Sequence, residues 1–93
     1  MYKFILRNGN KKRGKVLYTI YSEGLLRDRV RKIANRLEEF KIDEWSYIDL
    51  EKNGILLKTI YALEDGTFSR FDFDSMESYC ERLNGWIKWE QRK

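Results

Sequence analysis

The chain has 93 residues, 42% of them apolar and 15% aromatic, with a formal charge of +4, no histidine and a single cysteine. That size fits one small domain, which buries about 60–65% of the surface its unfolded form exposes. The composition excludes an internal disulfide, histidine-based zinc and haem sites and any Ser–His–Asp triad, and the single thiol points to a reducing, cytoplasmic setting.

The charge is unevenly spread. Residues 1–36 carry eleven Lys/Arg against two acids, and residues 37–93 carry eight against thirteen. One reading of such a split is an anionic partner for the first part. The other is mutual attraction of the two parts, within the fold or between two copies of it. The opening residues hold too short an apolar run for a signal peptide, and no stretch approaches the ~18 apolar residues of a membrane span, so no membrane is expected.

Residues 1–21 read as a basic β-hairpin. Its strands are Tyr2–Arg7 and Lys15–Tyr21, and Asn8-Gly9 supplies the turn. The intervening loop places Lys11, Lys12, Arg13 and Lys15 at one tip, where mutual repulsion discourages internal contacts. It is either a solvated tip or a finger for phosphate.

Residues 22–41 read as a basic amphipathic helix. Leu26, Val30, Ile33, Leu37 and Phe40 fall at spacings of four, three, four and three and form one apolar stripe. Ser22 is the expected N-cap. Glu23 is expected to pair with Arg27 and Asp28 with Lys32, which leaves Arg29 and Arg36 on one flank and Arg31 on the other. Glu38 and Glu39 fall where the helix dipole disfavours acids, an arrangement that helix stability alone would not select.

Residues 44–73 read as a three-stranded meander of Trp45–Glu51, Ile55–Leu63 and Thr67–Phe73, turning at Asn53-Gly54 and Asp65-Gly66. Neither side of these strands is simply polar. Two short helices cover one face, and the other is left to stack bases, to form a protein or homodimer interface, or to be closed off by the first hairpin packed across it. Residues 74–93 read as a second helix capped by Asp74 with Glu77, burying Met76, Tyr79, Cys80, Leu83 and Ile87. Asn84-Gly85 interrupts it, and Arg82, Trp86 and Trp89 line a strip beside its core face. The expected fold is thus α+β, about five antiparallel strands with two helices in the order ββαβββα. Its helix, three strands, helix order is similar to the double-stranded-RNA-binding domain. Only the order is shared, because Asp72-Phe-Asp74-Ser-Met-Glu77 stands where that family has lysines.

No phosphate-binding glycine loop is present, and the grouping of Asp49, Glu51 and Lys52 divides between two strand faces, so neither an enzyme nor a metal or cofactor site is expected. The expectation is a non-enzymatic binding protein. Lys11, Lys12, Arg13, Lys15, Arg29, Arg31 and Arg36 would engage a nucleic acid or a nucleic-acid-binding machine, with arginine's planar fork suited to phosphate. The alternative is a protein–protein inhibitor or adaptor, of the kind phages and mobile elements use against host defences. It would act through the aromatic sheet face with Trp86, Trp89 and Arg82.

Overall fold

A computed structural model describes residues 1–9 and 14–84 of the chain. Four strands, β1 (Tyr2–Asn8), β2 (Gly14–Ile20), β3 (Ser46–Lys52) and β4 (Ile55–Tyr61), and two helices, α1 (Leu26–Asn35) and α2 (Arg70–Leu83), follow in the order ββαββα. The sheet is antiparallel throughout, with strand order β2-β1-β3-β4. The first hairpin is therefore part of the sheet and does not lie across its face. β1 pairs with both neighbours, Phe4 standing opposite Tyr18 of β2 and Leu50 of β3.

Alternation then sorts the sheet into two sides. Tyr2, Phe4, Leu6, Ile48, Leu50 and Ile60 join Leu26, Val30 and Ile33 of α1 and Phe73, Met76 and Cys80 of α2 in one core. Both helices lie on this side. The β3–β4 turn is the two-residue type that needs positive φ at both central positions, and Asn53 and Gly54 take φ of 51° and 82°.

The expected fifth strand at Thr67–Phe73 is instead the approach to α2 and its first turn. Ser69 caps the helix, its hydroxyl accepting from the Phe71 amide at 3.1 Å. The alternation of Phe68, Phe71 and Phe73 suits a strand, but Phe73, Met76 and Cys80 also share a helical stripe, and the core takes that stripe. Phe68 and Phe73 pack with ring centroids 5.8 Å apart, while Phe71 is left 84% exposed. The expected Asp74 cap thus gives way to Ser69, five residues earlier, and Asp74 lies inside the helix.

The first helix is shorter than expected. A 3-10 turn at Glu23–Leu25 precedes α1 and another at Leu37–Glu39 follows it, and the Ser22 side chain makes no capping bond. Leu37 and Phe40 still pack against the core. Glu38 and Glu39 lie beyond the end of α1, so the helix dipole does not bear on them as expected.

Gly14 shows why β2 enters the sheet where it does. A Cβ there would sit 2.4 Å from Ile5 Cγ2 and 2.8 Å from Arg7 Cγ. Gly14→Ala is expected to cost about 1–3 kcal/mol by overpacking, read as a lower urea midpoint at unchanged slope; an unchanged midpoint would show that Ile5 and Arg7 yield freely.

Candidate functional site

Three of the expected basic residues meet on one flank of the molecule. Tyr18 of β2 and Phe40, just after the second 3-10 turn, provide two aromatic surfaces. The Arg29 guanidinium lies 5.6 Å and that of Arg36 5.9 Å from the Tyr18 ring centre. Arg36 is also 5.6 Å and the Lys15 ammonium 5.3 Å from the Phe40 ring centre. The result is a strip running Arg29, Tyr18, Arg36, Phe40, Lys15, with neighbouring Lys41 exposed. α1 brings Arg29 to it, the turn after α1 brings Arg36, and β2 brings Tyr18 and Lys15. In the sequence, Lys15 follows two residues after the Lys11-Lys12-Arg13 run.

Hydrogen bonds and ion pairs hold the two arginines in place. Arg36 donates from Nε to Glu39 at 2.7 Å and from Nη1 to the Tyr18 hydroxyl at 2.8 Å. Those bonds raise its pKa further above the ordinary arginine value, and Arg36 in turn holds Glu39 below the usual carboxylate range. Two of the five guanidinium N–H donors are so engaged. Arg29 reaches Asp28 at 2.6 Å, and Lys32 reaches the same carboxylate at 3.3 Å as expected. Lys32, then Arg29, pulls the Asp28 pKa down.

Arg31 is not part of this strip. It pairs with Glu77 of α2, and Arg27 pairs with Glu81 at 3.0 Å, so the two helices are laced by parallel ion pairs along their seam. The expected Glu23–Arg27 pair is replaced on both sides, since Glu23 accepts the Tyr2 hydroxyl. With burial, that bond pushes the Tyr2 phenol up to about 12. Part of the charge asymmetry read from the sequence is thus spent inside the fold. Arg82 is exposed in the last turn of α2. Lys11, Lys12, Arg13, Trp86 and Trp89 lie outside the described residues. Cys80 is buried in the core, and burial pushes its thiol up to about 12, as suits packing and not nucleophilic chemistry.

The side of the sheet away from the helices has two regions. Arg7, Asp49, Glu51 and Thr59 form a hydrogen-bonded network at its middle, with Arg7 3.0 Å from each carboxylate and Thr59 donating to Asp49 at 2.6 Å. Towards the end where β1 finishes and β3 begins, Tyr47 and Tyr61 stand opposite each other, ring centres 6.0 Å apart. Trp45 and Leu63 lie just beyond them, 69% and 47% exposed. Among the described residues, no group of three or more His, Cys, Asp or Glu is arranged to hold a metal ion, and no helix is long and apolar enough to cross a membrane.

The aromatic partners of the strip, Tyr18 and Phe40, escaped the sequence reading. Phe40 was assigned to the core stripe and Tyr18 only to a strand, and no local spacing links residues that meet across β2 and α1. Comparison with protein-family models, curated proteins and solved structures found no match.

Proposed function

We propose that this protein is a non-enzymatic binding protein whose basic strip engages the phosphate backbone of a nucleic acid. The observation that carries this reading is the convergence of Lys15, Arg29 and Arg36 on Tyr18 and Phe40; in the sequence Lys11, Lys12 and Arg13 come just before Lys15. A guanidinium has five N–H donors in a planar fork that matches phosphate oxygens, and Arg36 uses two of them on Glu39 and Tyr18. Such contacts position a nucleic acid without reading its sequence.

The test is fluorescence anisotropy with labelled single- and double-stranded DNA and RNA across a salt series. If about five phosphates of duplex DNA are neutralised, the log–log salt slope is roughly −4 to −5. Lys15→Glu with Arg29→Glu, checked for native circular dichroism, is expected to weaken binding to all sequences alike and to flatten the slope by about two. Arg31→Gln, on the far flank, is expected to leave the slope unchanged. No binding at low salt, or a slope near zero, would overturn the reading.

A second reading, a protein–protein inhibitor or adaptor of the phage-accessory kind, is favoured by a different observation. The sheet side without helices ends in exposed Trp45, Tyr61 and Leu63, and aromatic side chains dominate interface hot spots.

A further inference from the structure

Trp45, Tyr47, Tyr61 and Leu63 form a surface carried by two loops whose charged residues are all acidic. Trp45 and Tyr61 are 69% and 65% exposed. The loops that carry the patch, residues 42–45 and 62–67, contain Asp43, Glu44, Glu64 and Asp65 and no lysine or arginine. They abut, since a Cβ at Gly66 would lie 3.4 Å from the Ile42 carbonyl and 3.5 Å from Asp43 Cα. All four acids are exposed.

The patch is also held in shape. Asp43 accepts from the Trp45 amide at 2.8 Å, and the Ser46 hydroxyl lies 2.6 Å from Asn8 Oδ1 and 2.9 Å from the Asp43 amide. The Gly9 amide donates to the Trp45 carbonyl at 2.8 Å. Across the way, Asp65 accepts from both the amide and the hydroxyl of Thr67, and the Leu63 amide donates to the Thr67 carbonyl. Those bonds from Thr67 hold the Asp65 carboxyl below its usual range, so it keeps its charge. A surface ordered before binding loses little entropy when a partner docks.

We infer that this patch is a docking site for a protein segment in which lysine or arginine alternates with apolar side chains. The apolar groups would cover Trp45 and Leu63, and the cations would lie over the Tyr47 and Tyr61 rings with the four carboxylates around them. Over the patch itself these four carboxylates repel phosphate. The inference rests on the second reading above, gives it its partner, and uses none of Lys15, Arg29 and Arg36.

The experiment is anisotropy of fluorescein-labelled alternating lysine–leucine, lysine–serine and glutamate–leucine peptides titrated with the full chain, beside sedimentation velocity of the chain alone. The lysine–leucine peptide is expected to bind best. Trp45→Ala with Tyr61→Ala is expected to weaken it by about thirtyfold or more, the scale of one hot-spot residue. Glu44→Lys with Glu64→Lys is expected to reverse the preference towards the glutamate–leucine peptide, a gain that a misfolded variant would not show. The Trp45/Tyr61 pair, which alters no charge, is expected to leave DNA binding unchanged, which separates failure here from failure of the basic strip. Absence of peptide binding, or binding indifferent to both pairs, would overturn the inference. So would a homodimer that the Trp45/Tyr61 pair dissociates while the peptides do not bind, since the occupant would then be a second copy.

Discussion

Phe4→Ala is expected to destabilise the fold by about 3–5 kcal/mol, the range for removing a fully buried phenylalanine. Phe4 is completely inaccessible, lies in the central strand between Tyr18 and Leu50, and belongs to the core shared by both helices. The cavity would open where sheet and helices meet, and neither layer could close it without losing register. A domain of this size has roughly 5–14 kcal/mol in total, so the variant would fall near its limit of folding. The urea midpoint, followed by circular dichroism, measures the loss. Phe71→Ala supplies the contrast: the same change of side chain at a position 84% exposed is expected to move the midpoint within about 0.5 kcal/mol. Equal effects at the two positions would contradict the placement of α2.

Asp49→Ala is expected to cost about 2–4 kcal/mol, more than an exposed ion pair could account for. Asp49 is 6% exposed although it faces the side without helices. One carboxylate oxygen accepts from Arg7 Nε and the other from the Thr59 hydroxyl. Removing it breaks the Arg7–Asp49 pair and takes the acceptor from Thr59. Charge and hydrogen bond are separable here. Asp49→Asn keeps an oxygen for Thr59 and loses the charge beside Arg7, and Thr59→Val removes only the neutral donor. The expected order of destabilisation is Asp49→Ala, then Asp49→Asn, then Thr59→Val at about 1 kcal/mol. Midpoints that do not differ from wild type would mean that water already satisfies the network.

The network and the strip share a property that explains why sequence reading reached them only in part. Arg7 and Asp49 lie on β1 and β3, forty-two residues apart, and are neighbours only because β1 inserts between β2 and β3. Arg36 and Tyr18 are likewise eighteen residues apart and meet through the packing of α1 against the sheet. A pattern of spacings along the chain carries no information about such pairs. It does carry local preference, which is why the basic residues were recognised as a group while their partition was not. Arg29, Arg36 and Lys15 stayed together, and Arg31 went to the seam with α2.

What the sequence determined by itself is what short-range chemistry decides. The Leu26, Val30 and Ile33 stripe made a helix, the Asn53-Gly54 pair made a turn because both residues tolerate positive φ, and Cys80 was legible as core. Tertiary structure decided the rest where local preferences tied. Thr67–Phe73 alternates like a strand, yet Ser69 can cap a helix and Phe73 can extend the stripe of Met76 and Cys80. Burying that stripe against the sheet and α1 outweighs one more edge strand. The same layering puts both helices on one side and leaves Trp45, Tyr47 and Tyr61 on the other. Which aromatic residues are core and which are surface is settled by that choice of side, a property of the assembled sheet and of no segment within it.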